Sequence, residues 1–391
     1  MDAHMYSLLL VMIYLAFISL GLPDSLIGSA WPVMHAELGV PVSFAGIVTM
    51  IIACGTIVSS LLSDRLTRRL GAGPVTAVSV LMTAAALFGF SVSHSFWLLC
   101  LWAVPYGLGA GAVDAALNNY VALHYASRHM SWLHCFWGVG AAVSPYIMGY
   151  SLAGGYGWNS GYRTVSIVQL ILTAALFISL PLWKRKDAEK AQEEVRAVPL
   201  SLSQAVKIKG VPLILVTFFA YCALEQTTGL WASSYLVQGR GIHADTAASF
   251  ASLFFLGITF GRFLCGFFAE KLGDKRLIRI GIFTAMVGAV LIGLPVPFDG
   301  LALAGLITIG LGCAPIYPSI IHSTPFNFGK ENSQSIIGIQ MACAYVGTTL
   351  MPPLFGWLAS VAGIGLYPFY LLLFAVLMLV MSERLNRAVA K

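Results

Sequence analysis

The sequence predicts an all-α membrane protein: twelve transmembrane helices arranged as two pseudo-symmetric six-helix bundles. Three observations predict it. The 391-residue chain is 58% hydrophobic and only 10% charged, against about 25% charged for a soluble domain. Its apolar runs approach the ~20 residues that a bilayer crossing requires, and twelve of them leave about 33 residues for each helix with its loop. A single long polar interruption, 184–209, divides those runs six and six. No segment is long and polar enough to form a soluble catalytic domain, so no enzymatic activity is expected, and the composition argues against nucleic-acid binding.

The first apolar run, near 6–34, follows an N-terminus without a basic region and extends beyond a signal-peptide core. It is expected to remain as helix 1. Helix 2, near 41–63, ends at Asp64-Arg65. Helices 3 and 4 follow at 72–92 and 95–124, and helix 4 carries Asp114 and Asn118. Helix 5, at 131–153, contains Pro145 between Gly140 and Gly149, and helix 6, at 162–183, stops at Lys184-Arg185-Lys186. The second set is expected near 210–238, 245–271, 276–296, 300–322, 333–360 and 364–385. The domains are therefore 1–183, a cytoplasmic linker 184–209, and 210–391. Seven cysteines are scattered singly through apolar runs with no CxxC spacing. They read as small helix residues, and no metal or cofactor is expected.

The formal charge of +6 needs an explanation, because a basic balance can signal a polyanionic partner or only membrane topology. Its distribution decides. With both termini on one face, all of the 22 Lys and Arg fall on that face except Arg163 and Arg240 on opposite loops and Arg262 within a span. The positive-inside rule then puts both termini in the cytoplasm. The plasma membrane, specifically a bacterial cytoplasmic membrane, is the expected location. The basic run 184–186 is read as an orientation signal in contact with lipid headgroups.

The two sets of helices repeat one another. Helix 2 ends Ser60-x-x-x-Asp64-Arg65-Leu66-Thr67-Arg68-Arg69, and helix 8 ends Gly266-x-x-x-Glu270-Lys271-Leu272-Gly273-Asp274-Lys275. Gly140, Pro145 and Gly149 recur as Gly347, Pro352 and Gly356, and Gly107-Leu108-Gly109 recurs as Gly310-Leu311-Gly312. Three matches in the same order at a nearly constant offset indicate a duplicated six-helix unit.

The motif after helix 2 resembles the hallmark of the major facilitator superfamily, G-x-x-x-D-R/K-x-G-R/K-R/K, with a weaker echo after helix 8. The resemblance implies the major facilitator fold and a conformational latch built from Asp64, Arg65, Arg68, Arg69, Glu270 and Lys271. A carboxylate at a helix end can accept from a neighbouring helix N-terminus while the cations engage carboxylates and headgroups. The alternative is that these charges only fix topology. Ser60 and Thr67 stand where the motif has glycine, which predicts looser packing at the first copy than at Gly266 and Gly273.

Four charges lie well inside predicted spans: Asp24, Asp114, Glu225 and Arg262. Each costs about 2.5–3.5 kcal/mol on insertion scales and must be offset by pairing, protonation or water. Asp24 follows Pro23 on helix 1, where Pro23 and Gly28 loosen the helix. Asn118 is four residues beyond Asp114 and shares its face. Glu225, beside Gln226, holds the place on helix 7 that Asp24 holds on helix 1. Arg262 either pairs with Glu225 or reaches toward the cytoplasmic side. His322 is expected at the cytoplasmic interface.

The superfamily resemblance implies that helices 1, 4 and 7 line the central cavity. Burial favours the neutral form of a carboxyl group, so Asp24 and Asp114 are the candidate proton carriers, with a structural hydrogen bond as the alternative for each. The stretch Asp114-x-x-x-Asn118-Asn119, followed by Leu133-His134-Cys135-Phe136-Trp137-Gly138, resembles the fucose:proton symporters and their hexose-transporting relatives. That resemblance implies a protonatable Asp114 and a cavity hydrogen bond from Asn118, with His134 as a gate or substrate contact. Helix 1 lacks the asparagines of fucose symporters, so fucose itself is not implied.

Sugars require amides and carboxylates for their hydroxyls and aromatic faces for their C–H side. The candidate substrate residues are Asn118, Asn119, His134, Trp137, Glu225, Gln226, Trp231 and Gln340. The aromatics have lipid-interface roles as the alternative. The expected function is proton-coupled import of a sugar or sugar-like polar solute by alternating access. The expected partners are a small-molecule substrate, protons as coupling ion and the bilayer, for a protein that is a monomer. A proton-coupled drug or metabolite exporter and a non-transporting nutrient sensor are the alternatives. No nucleotide-binding loop is present to drive primary transport.

Overall fold

The structure is a computed structural model describing residues 2–41, 44–190, 200–242, 244–296 and 298–390. Of the linker inferred from sequence, residues 191–199 lie outside the described residues, as do the side chains of Lys184, Arg185 and Lys186. Among the described residues there is no β-strand. The helices are α1 (Asp2–Gly21), α2 (Leu26–Glu37), α3 (Ala45–Leu70), α4 (Ala72–Ser91), α5 (Phe96–His124), α6 (Ser127–Ala153), α7 (Gly157–Lys190), the short α8 (Leu202–Ala205), α9 (Val211–Arg240), α10 (Ala244–Leu272), α11 (Asp274–Gly293), α12 (Asp299–Phe328), α13 (Lys330–Ala362) and α14 (Tyr367–Ala388). Eleven helical spans among the described residues are long and apolar enough to cross a membrane. The long helix outside that count is α6, whose first three turns carry Arg128, His129 and His134.

The chain divides into two compact units, 1–120 with 133–199 and 121–132 with 200–391. Each unit repeats the same close helix contacts. In the first, a side chain at Gly140 of α6 would collide with the carbonyl of Ile18 and approach the amide of Leu22 in α1 and the turn after it; in the second, Gly347 of α13 lies against the carbonyl of Phe219 and the amide of Ala223 in α9. Gly107 of α5 faces the Ile52 carbonyl of α3, and Gly310 of α12 faces the Phe254 carbonyl of α10. Small residues at such crossings let backbones approach without a side chain between them. Gly140→Val is expected to cost about 1–3 kcal/mol through overpacking, whereas Gly149→Val, with open space around its would-be Cβ, should change stability by less than about 0.5 kcal/mol. Thermal unfolding of the purified variants measures the difference.

The looser packing expected at Ser60 is not found. Ser60 is fully buried, and its hydroxyl donates to the Gly111 carbonyl at 3.2 Å, so the opposing α5 supplies the glycine. Thr67 acts differently from its partner in the repeat. α10 ends at Gly273 with φ +75, and α3 continues one turn past Thr67 to Gly71 with φ +85. A β-branched threonine resists that left-handed conformation, so the turn waits for the next glycine.

The predicted helix 1 is interrupted. Leu22–Ser25 form turns between α1 and α2, because Pro23 has no N–H to give to the Ser19 carbonyl. The amide of Gln169 on α7 donates to that carbonyl instead, at 2.5 Å. Arg240, one of the two arginines expected on the opposite loops, caps α11 by donating to the carbonyls of Ile292, Leu294 and Val296 at 2.9, 3.1 and 2.7 Å.

Candidate functional site

In the first unit, the break in helix 1 presents Asp24. Its Oδ1 accepts from the Tyr106 hydroxyl of α5 at 3.1 Å, and its Oδ2 accepts from the Trp137 indole N–H of α6 at 2.9 Å. The residue remains exposed although it lies inside the span Leu8–Trp31. Both partners are neutral donors, and no ion pair to Asp24 is found among the described residues.

Asp114 is placed differently. It is 5% exposed, and the Asn118 amide donates both to its Oδ1, at 2.8 Å, and to its main-chain carbonyl, at 3.0 Å. The other side of that amide meets His134 of α6, with Asn118 Oδ1 3.0 Å from Nε2. Phe17 of α1 packs edge-on against the His134 ring. The shared helix face read from the i,i+4 spacing thus becomes a buried chain, Asp114–Asn118–His134. His134 is held inside the unit and is not a surface contact. Asn119 is buried as well.

In the second unit, Glu225 and Arg262 form an ion pair, Nη2 to Oε1 at 3.4 Å. This resolves the two positions open to Arg262 in favour of pairing. The guanidinium is almost fully buried and also donates to the Tyr221 hydroxyl at 3.4 Å. Gln226, the next residue, is exposed. Two candidates do not join this group. Trp231 donates to the Pro352 carbonyl at 2.9 Å and packs on Phe355. Gln340 is fully buried and bonded through both amide atoms to Thr324, at 3.1 and 3.2 Å. Both hold α13 in place, Trp231 to α9 and Gln340 to α12.

Of the latch candidates, Asp64 is buried and accepts from Arg68 one turn on, at 2.7 Å. Arg65, Arg69 and Lys271 are exposed, and Glu270 pairs with Arg128 at 3.2 Å. His322, expected at the interface, is bound to Asp274 at 2.7 Å, and Ser127 donates to the other oxygen of Asp274 at 2.8 Å.

Composition and spacing did not single out Tyr106, Tyr221 or Gln169. The only sequence signal was indirect: Pro23 orphans a carbonyl that some donor has to satisfy. A groove of about 700 Å³ on α3 and α5, lined by residues such as Ile47, Met50, Val58 and Val104, offers nothing that would recognise a polar solute. Among the described residues no cluster of His, Cys, Asp and Glu could hold a metal.

The family model described as Major Facilitator Superfamily matches residues 13–322 and 213–385. The chain is 23% identical over 385 residues to bypass of stop codon protein 6 of Saccharomyces cerevisiae, spanning 90% of this chain and 77% of that protein. It is 22% identical over 325 residues to the hexuronate transporter of Bacillus subtilis, spanning 77% and 74%. Its fold is similar to that of the Major Facilitator Superfamily transporter FucP, whose crystal structure was solved in the outward conformation, with TM-score 0.80 at 15% identity over 99% of this chain and 100% of that one. The proton:xylose symporter XylE bound to 6-bromo-6-deoxy-D-glucose also gives 0.80, at 13% identity over 100% and 96%.

Proposed function

The chain belongs to the Major Facilitator Superfamily, and from that premise we propose that it is a secondary active transporter importing a sugar or sugar-like polar solute together with a proton. One observation carries the proposal: the two halves of the repeat are charged differently at matched positions. Glu225 has Arg262 beside it, whereas the partners of Asp24 among the described residues are the neutral Tyr106 and Trp137. In the repeat register that aligns Ser60 with Gly266, Thr56 stands where the other half has Arg262. An unpaired carboxylate inside a span is costly. In the first unit that cost is relieved by a proton, by the solute, or by both in turn, and such relief couples the two.

Asp24 and Asp114 are the proton-coupling residues in this reading. Asn118, Asn119, His134, Trp137, Glu225 and Gln226 serve the solute directly or hold the groups that do. Trp231 and Gln340 support the helices. Asp64, Arg65, Arg68, Arg69, Glu270 and Lys271 form the cytoplasmic latch. The protein works as a monomer in a bacterial cytoplasmic membrane with both termini inside, its domains being 1–183 and 210–391 joined by 184–209. Similarity to a hexuronate transporter, a glucose/mannose transporter and a proton:xylose symporter supports the sugar class.

Uptake of a panel of radiolabelled hexoses into proteoliposomes tests the proposal. An inward proton gradient should accelerate uptake and drive accumulation. Uptake indifferent to the gradient would refute coupling, and efflux of a substrate under the same gradient would assign the opposite direction.

A further inference from the structure

We infer that the solute bears no negative charge, and that Asp24, oriented by Tyr106 and Trp137, binds it through a pair of neighbouring hydroxyls. The inference rests on the sugar reading above and narrows it. It begins with accessibility. Asp24 is exposed in the turn between α1 and α2, whereas Asp114 is closed off beneath Asn118. A carboxylate offers about four acceptor positions, and each Asp24 oxygen spends one on a neutral donor. Each oxygen thus keeps an acceptor position, enough for the carboxylate to take two hydroxyls on adjacent carbons.

The partners add to this. Tyr106 and Trp137 fix the plane of the carboxylate before the solute arrives, which removes part of the ordering cost of binding. The Trp137 N–H is committed to Asp24, so its half-buried ring stays beside the open oxygens. A sugar presenting hydroxyls to the carboxylate can lay its C–H side on such a ring. Protonation of Asp24 would leave it able both to accept and to donate hydrogen bonds, so hydroxyl binding and proton coupling can alternate on the same group.

Charge excludes the acid analogues. A uronate would bring its own carboxylate toward Asp24, where no cation is paired with either group. Arg262 is the one buried Lys or Arg among the described residues, and it is engaged by Glu225 and Tyr221. Like charges meeting away from bulk water weaken binding by at least about tenfold. The chain therefore departs in solute charge from its relative the hexuronate transporter of Bacillus subtilis.

The experiment is calorimetric titration of the full chain in nanodiscs at pH 7.5 with matched pairs: glucose and glucuronate, galactose and galacturonate, mannose and mannuronate. Members of a pair share their ring hydroxyls and differ in the charge at C6. The expected result is that at least one neutral sugar binds at least about tenfold more tightly than its acid. In Asp24→Asn, which preserves shape and removes charge, that ratio should fall to about threefold or less. An acid that binds the native chain as well as its neutral partner overturns the inference and leaves the sugar reading standing. A ratio unchanged in Asp24→Asn overturns the role of Asp24. Binding of neither member of any pair overturns the sugar reading and this inference together.

Discussion

Asp114→Asn should abolish accumulation of solute against its gradient while preserving exchange of solute across the membrane. One proton moving down 100 mV supplies about 2.3 kcal/mol, an accumulation of about fifty-fold at equilibrium. The variant should fall to unity. Asparagine keeps the size of the side chain and an oxygen to accept the Asn118 amide, at present 2.8 Å from Oδ1, but cannot gain or lose a proton near neutral pH. The Asn118 amide faces Asp114 on one side and His134 on the other, so protonation of the carboxyl rearranges a bonded chain that joins α5 to α6. Without titration the chain keeps one arrangement, and solute can still cross by exchange. Uptake driven by an imposed gradient and counterflow with none, measured on the same vesicles, separate the two outcomes. Accumulation by the variant equal to that of the native chain would remove Asp114 from the coupling path.

The framework was legible because the bilayer imposes its own arithmetic. Apolar length, the positions of Lys and Arg, and repeated glycines each give one answer, and they agree on helix number and on the duplication. Gly140 and Gly347 gain most from the structure, since each lies on the same two backbone positions of the helix it crosses. The site was legible in part. Asp24, Asp114, Glu225 and Arg262 stand out because charge is rare in a span. Their partners do not, because partners are chosen by tertiary packing. Tyr106 and Tyr221 look like any tyrosine in an apolar run until the break between α1 and α2 brings Asp24 to the first and α10 brings Arg262 to the second. Gln169 has no local reason to face α1; it is explained by a carbonyl that Pro23 leaves open 150 residues away in sequence. Gln340 and Trp231 show the converse. Their residue types suit a sugar, but Thr324 and the Pro352 carbonyl take their polar atoms first.

The second large effect is expected at the ion pair of the second unit, and it discriminates balance of charge from strength of contact. Arg262→Met should destabilise the chain by about 3–5 kcal/mol, because it leaves Glu225 without its cation in a span. The reason is not the contact itself, which at 3.4 Å is a single long bond. Taking two charges out of water offsets most of what their attraction returns. Arg262→Met with Glu225→Gln removes the whole charge pair and should therefore recover most of the loss, approaching native stability. Thermal unfolding of both single variants and the double variant in one detergent closes the cycle. Two losses that simply add would mean that the groups act separately, and the contrast between a balanced second unit and an unbalanced first would fail with them. If the pair does behave as a unit, a double variant Arg262→Met with Glu225→Gln that still exchanges solute in counterflow should also accumulate it under a proton gradient, since the coupling carboxyls Asp24 and Asp114 belong to the other half of the repeat. Accumulation lost in a stable double variant whose counterflow is intact would move the coupling charge to Glu225.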